Sequence, residues 1–183
     1  NHATQATAAN QPKIVDAGSL LTKGLTFDGT DDFLTLTSTL GQTDLGSYFS
    51  VVELDSTSTA KTIFDNRDSA SDGSVLFHQS GAFQFKFLST TETVSSTSTS
   101  QLIASALKTS SKTSIGVNGA ALEETSSTST ISVSALPTIG ARSFTSAANF
   151  MDGEIAELII YNSDQTDNRT AIEANIGEVY SID

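Results

Sequence analysis

The chain has 183 residues, the length of one ordinary domain or one large β domain. A globule of this length buries roughly 70% of its unfolded surface, so it needs no covalent staples. It has no cysteine, which excludes disulfides and thiolate metal sites, and its net charge of -12 disfavours nucleic acid and anionic membranes as partners. An acidic surface suits a divalent cation or plain solubility. No stretch approaches the ~20 apolar residues of a membrane span, so no membrane insertion is expected.

In chain order, residues 1–13 are small, polar and without period, and are expected to form an extended lead-in to a domain over 14–183. The opening "NHATQATAANQ" lacks an initiator methionine and is expected to continue from a longer polypeptide. Residues 25–36, "LTFDGTDDFLTL", split around an Asp-Gly turn of the kind that favours hairpins. "SYFSVVELD" (47–55) is strand-like, and "KTIFDN" (61–66) is a shorter strand. "SVLFHQSGAFQFKF" (74–87) predicts a hairpin whose second arm puts Phe83, Phe85 and Phe87 on one face and Gln84 and Lys86 on the other. "QLIASALK" (101–108) fits a strand or a short helix.

"KTSIGVNGAALEE" (112–124) carries Asn118-Gly119, a strong hairpin signal. "TISVSALPTIGARSF" (130–144) suggests two short strands around Leu136-Pro137. "GEIAELIIYN" (153–162) is apolar on both faces and is expected to be central. Strict alternation puts Ile155, Glu157, Ile159 and Tyr161 on one face and Ala156, Leu158 and Ile160 on the other. The last segment, 163–180, predicts a helix capped by Ser163 or Asp164 and stopped by Gly177. Thr-Ser-Thr recurs at 37–39, 57–59, 97–99 and 128–130, too irregularly for a repeat architecture. Short strands joined by Gly and Asp turns, with one late helix, predict an all-β antiparallel sandwich.

Three motifs in order carry a resemblance: "LTFDGTDDFLTL", "SIGVNGAALEET", and "TIGARSF" followed by "FMDGEIAELIIYNSDQTDNRTAIEANI". Together they resemble the laminin G-like, concanavalin A-like lectin/glucanase superfamily, in the form found in bacterial and bacteriophage surface proteins. The motifs are F-D-G-x-x-D-[FY], V-N-G, I-G-x-R and D-G-x-I-x-E, and the likeness spans about 25–180. It implies a two-sheet antiparallel jelly roll with a short C-terminal helix, whose first and last strands lie close together. The two Asp-Gly steps would then sit at related rims.

The resemblance also implies a calcium site at such a rim, with Asp28, Asp31, Asp32 and Asp152 as candidates. Clustered carboxylates with turn carbonyls suit that ion, which takes six to eight oxygen ligands. The chain departs from the family in its strand Ile155-Ala156-Glu157, where the middle position is often acidic. If a concave face binds sugar, Tyr161, Glu157, Lys86, Gln84 and Arg142 are its plausible members, although the absence of Trp removes the usual stacking platform.

Catalysis finds no support. Glu53 and Asp55 begin the alternating carboxylate pattern of a glucanase, but Thr57 or Ser58 stands where the acid belongs. His2 and His78 are the two histidines, and no G-x-S-x-G elbow accompanies either. Asn168-Arg169-Thr170 matches a glycosylation sequon inside the expected helix, which fits chance. The expected function is non-catalytic, lectin-like recognition of a glycan or cell-surface polysaccharide within a larger extracellular or virion protein. The alternative is a structural domain that contacts other proteins of the same assembly. A polar-aromatic patch on one face separates the two.

Overall fold

The computed structural model describes residues 2–22 and 24–182. Its strands begin β1 (Ala3–Thr4), β2 (Val15–Asp16), β3 (Ser19–Leu20), β4 (Leu25–Asp28), β5 (Leu34–Leu36), β6 (Gly46–Leu54) and β7 (Lys61–Ser69). They continue β8 (Asp72–Gln79), β9 (Ala82–Phe87), β10 (Thr90–Ser95), β11 (Leu102–Lys108) and β12 (Lys112–Val117). The last are β13 (Glu123–Ser126), β14 (Thr138–Ile139) and β15 (Asp152–Tyr161), followed by the helix α1 (Arg169–Tyr180). A seven-stranded sheet runs β1-β5-β14-β7-β8-β9-β10, and a six-stranded sheet runs β13-β12-β11-β6-β15-β4. The paired strands are antiparallel, so the architecture is the expected two-sheet jelly roll with a short C-terminal helix. No described helix is long and apolar enough to cross a membrane.

The core lies between the sheets. Phe83, Phe85 and Phe87 on β9 meet Tyr48, Val52 and Leu54 on β6, all of them buried. Burying each such side chain contributes about 1.5–3 kcal/mol, so the period-two Phe row alone rivals the net stability of a small domain. Tyr48 packs on Phe64 and Phe85 at ring distances of 5.7 and 5.1 Å. Its hydroxyl bonds to Gln42 Oε1 at 2.8 Å and to Ser74 Oγ at 2.9 Å, and burial pushes its pKa up to about 12.

A second cluster lies on the other side of the six-stranded sheet. There Ile172, Ile176 and Tyr180 of α1 cover Phe49, Val51, Ile103, Ile159 and Tyr161. The helix runs on past Gly177 to Tyr180, and Ser181 closes it in the left-handed region at φ 56°. Gly177 serves the packing instead, because a Cβ there would stand 2.7 Å from the Ile182 carbonyl oxygen. Neither Ser163 nor Asp164 caps α1, whose N-cap residue is Asn168; Asp164 Oδ1 instead accepts the Thr166 amide at 2.9 Å in the turn that precedes it.

Other expectations change for local reasons. Residues 25–36 are not a hairpin: β4 joins the six-stranded sheet and β5 the seven-stranded one, so the Asp-Gly turn is a crossover between layers. Residues 130–133 form no strand, and only β14 appears in that stretch, because Asp68 pins the loop by accepting the Ser134 and Ala135 amides at 2.9 and 2.6 Å. Residues 101–108 resolve as a central strand. The Gln79–Ala82 and Asn118-Gly119 turns are as expected, with positive φ at Ser80, Gly81, Asn118 and Gly119. Residues 2–13 lie along a sheet edge, where His2 and Asn10 carbonyls accept the Thr37 and Phe33 amides at 2.9 and 3.2 Å.

The strict alternation expected in β15 fails. A β-bulge between Ile155 and Glu157 shifts its register against β6. Ile155, Leu158 and Ile160 therefore face the main core, while Ala156, Ile159 and Tyr161 face the helix layer.

Candidate functional site

The two Asp-Gly steps meet directly. In the β4–β15 ladder Asp28 pairs with Asp152 and Phe27 with Gly153, and the Gly29 amide donates to the Met151 carbonyl at 2.8 Å. Gly29 sits at φ +74°, and Asp28 Oδ1 accepts the Thr30 and Asp31 amides at 2.8 and 3.3 Å. Asp32 turns back so that its Oδ2 accepts the Asp28 amide at 3.1 Å. Asp28, Asp31 and Asp32 thus bring carboxylate oxygens within 4.8 Å of one another. Asp32 is only 4% exposed, and burial followed by the Asp28 charge raises its pKa. Asp152 lies outside this trio, and its Oδ2 stands 3.7 Å from the buried Lys61 ammonium. The trio is an all-oxygen donor set of the kind calcium takes, with two of its oxygens already engaged by turn amides.

The five candidate sugar contacts divide between opposite sides of the sandwich. Gln84 and Lys86 project from the outer face of the seven-stranded sheet, because Phe83, Phe85 and Phe87 take the inner one. Tyr161 lies on the outside of the six-stranded sheet, edge-on to Phe49 at 6.2 Å and packed into the α1 layer. Glu157, displaced by the bulge, lines an apolar groove of about 470 Å³ with Leu20, Leu25, Leu34 and Leu158. The expected single site therefore does not form. Two strands joined to different sheets cannot present their surfaces together, however regular their alternation.

Arg142 belongs with Gln84 and Lys86, and it brings residues that the sequence reading missed. Asp65, Val75 and Lys86 are neighbours across β7, β8 and β9 on the same outer face. The fully buried Asp65 carboxylate accepts Arg67 Nε at 2.8 Å and Nη2 at 2.7 Å, a bidentate pair. Its Oδ2 also accepts the Ser143 amide at 3.2 Å, and Ser143 Oγ donates to the Arg67 carbonyl at 3.0 Å. These bonds fasten a loop that the Arg142–Ala148 bridge closes, with an Arg142 amide to Ala148 carbonyl bond of 2.8 Å. On that loop the half-buried Phe144 ring receives two guanidiniums, Arg67 at 4.7 Å and Arg142 at 4.9 Å from its centroid. Burial and then the Arg67 charge lower the Lys86 pKa, and its ammonium donates to the Ala70 carbonyl at 2.6 Å. One signal for the pair was present, since Asp65 and Arg67 are two apart in a strand and must share a face.

The residues weighed for catalysis do not assemble. Glu53 is the penultimate residue of β6, and Asp55 has already left the strand, donating its amide to the Asp152 carbonyl at 3.1 Å. His78 is buried edge-on to Phe83 at 5.0 Å, with Nε2 3.2 Å from the Ser96 carbonyl. A cleft of about 580 Å³ between α1 and the Asn118-Gly119 turn is lined by none of these residues.

No protein-family model matches the chain, and no curated protein does. Solved structures do match its fold. The carbohydrate-binding module CBM40 of the Ruminococcus gnavus IT-sialidase, solved with α2,3-sialyllactose, superposes with a TM-score of 0.59 at 10% identity. That match covers 72% of this chain and 84% of the module. A putative carbohydrate-binding protein from Bacteroides ovatus gives 0.64 at 12% identity, over 82% of this chain and 47% of that one. The receptor-binding domain of a botulinum neurotoxin C/D mosaic gives 0.60 at 10% identity, over 90% and 45%. At these identities the likeness is one of fold.

Proposed function

We propose that this domain is a non-catalytic, lectin-like module that recognises carbohydrate within a larger extracellular or virion protein. The observation that carries the reading is the loop-and-strand patch on the outer face of the seven-stranded sheet. There the Arg67 and Arg142 guanidiniums lie over the Phe144 ring, with Lys86 close to Arg67 and Gln84 two residues along β9 on the same face. This is a mixture of aromatic surface and polar donors of the kind sugar recognition uses. The neighbours whose names mention carbohydrate share the fold and support this reading by analogy. Calcium is assigned to the Asp28, Asp31 and Asp32 turn, where it would neutralise three crowded carboxylates and stiffen the crossover.

A second reading, a structural domain held by other proteins of the same assembly, draws on one fact. The aromatic platform expected from Tyr161 is packed beneath α1, and Tyr48 is wholly buried. A glycan array probed with the isolated domain, in calcium and again in chelator, decides between the readings. Binding to one sugar class supports recognition, and its survival in chelator would confine calcium to a structural role. Silence in both conditions from folded protein would overturn the recognition reading in favour of the structural one.

A further inference from the structure

We infer that the ligand of this face is an acidic sugar, whose carboxylate is received by Arg142 beside Phe144, with Lys86 and Arg67 supplying the surrounding positive field. This rests on the recognition reading above and specifies its ligand. The chain holds 21 acidic and nine basic residues, and Lys61 stands 3.7 Å from Asp152. Lys112 pairs with Glu124, Arg169 with Glu173 and Arg67 with Asp65. Arg142 has no ion-pair partner among the described residues, and its Nε is buried with nothing to donate to. Nε itself is closed to solvent, so an incoming anion would be met by the outer nitrogens of the guanidinium.

The local arrangement of charge points the same way. Asp65 is the carboxylate set among these cations, and the bidentate pair with Arg67 and the Ser143 amide occupy it. Arg67, Arg142 and Lys86 gather around Asp65 on a chain of net charge -12, with Asp68 and Asp72 near the adjoining β7–β8 turn. Lys86 meets a carbonyl rather than a carboxylate, at 2.6 Å from Ala70 O. A planar guanidinium with free N–H edges matches a carboxylate in its fork geometry. The Phe144 ring, with the Arg67 and Arg142 guanidiniums over it, holds the Arg142 fork in place for such a contact. A neutral sugar would leave the Arg142 charge unanswered.

The test uses the whole chain and pairs of glycans that differ in charge. Trigalacturonate is compared with its methyl ester, and sialyllactose with lactose, by calorimetric titration, with the array screening sulfated and neutral sugars. The expected result is binding of a carboxylated member, loss on esterification or removal of the acidic residue, and weakening by at least roughly tenfold in Arg142→Gln. Lys86→Gln should weaken binding less, and both variants must keep the wild-type thermal midpoint. Arg142→Lys should recover part of the affinity. Binding of neutral sugars with equal affinity, untouched by Arg142→Gln, would overturn this inference and leave carbohydrate recognition standing. Preference for sulfated over carboxylated sugars would overturn the carboxylate assignment. No binding to any glycan by folded protein would remove both the inference and the reading beneath it.

Discussion

Removing the Asp65 charge while preserving its shape, as in Asp65→Asn, isolates the pair that supports the candidate site. The Asp65 side chain is fully buried and that of Arg67 is 11% exposed, so water screens the pair little. The carboxylate accepts two guanidinium N–H groups and the Ser143 amide. The asparagine keeps one carbonyl acceptor but leaves the guanidinium mostly buried without a counter-charge. Breaking one side of a buried pair costs about 3–5 kcal/mol, and the retained acceptor places this variant near the low end, at ~3 kcal/mol. Arg67→Met, which strands the carboxylate instead, should cost a similar amount.

The double variant Asp65→Leu/Arg67→Met, in a cycle whose single arms are Asp65→Leu and Arg67→Met, tests the reasoning. It removes both charges and leaves the Ser143 amide as the stranded partner, a cost of about 1–3 kcal/mol. It should therefore be less destabilised than the sum of the single variants, and close to or above either one. Urea unfolding reads this directly: with m of about 1–3 kcal/mol/M, a 3 kcal/mol loss moves the midpoint by roughly 1–3 M. A single-variant loss below about 1 kcal/mol, or strict additivity in the cycle, would show that the pair behaves as a surface ion pair. The assumption that Asp65 anchors the Phe144 loop would fall with it.

Three further perturbations probe other parts of the molecule. Gly153→Ala should lower stability by more than about 2 kcal/mol, because φ there is +129° and a Cβ would overlap the Glu53 carbonyl oxygen; an unchanged melting midpoint would contradict the β6–β15 register. Burial, opposed by the Ser96 bond and assisted by Lys61, holds the His78 pKa below its ordinary 6.5. The unfolded chain therefore takes up the proton first, and His78's contribution is complete above pH 6.5 and lost as pH falls through the lowered folded value. Stability measured from pH 7.5 downward should fall in that window in wild type, and a slope that persists in His78→Leu would refute the assignment. Asp32 has the opposite sign, since burial and Asp28 raise its folded pKa above 3.8 and stability drops as pH rises through that higher value. Asp32→Asn should thus stabilise the calcium-free domain at neutral pH. Calcium at about a hundredfold over its Kd should add ~2.7 kcal/mol to wild type and much less to the variant. A wild-type midpoint that calcium does not move would exclude the site.

Much of the fold was legible because its signals are local. Phe83, Phe85 and Phe87 needed only period two to show a buried face, and Asn118-Gly119 and Ser80-Gly81 needed only the backbone freedom of their turns. What the pattern could not show is which sheet a strand joins. Leu25–Asp28 and Leu34–Leu36 are separated by five residues and look like a hairpin, yet they close different layers. The same blindness put Tyr161 and Glu157 beside Lys86 and Gln84. Alternation also hides a bulge, because one inserted residue at Ala156 reverses every later side chain in β15 without altering its composition.

The distinction bears on where function can be sought. Neighbours at 10–12% identity retain this fold, so the features that build it, the inward aromatic rows and the positive-φ turns, constrain ligand choice very little. Informative residues are those the fold does not require. Arg142 and Phe144 belong to neither hydrophobic cluster. Replacing Arg67 and Asp65 together by apolar residues should cost less than breaking the pair, and yet the chain keeps a buried charge pair there. A pair with little net stability to offer can still hold a loop in one position, and here the loop it holds carries a cation with no ion-pair partner among the described residues. Stability accounts for the sandwich, whereas Arg142, packed on Phe144 without an ion-pair partner among the described residues, is where a ligand's charge would be felt first.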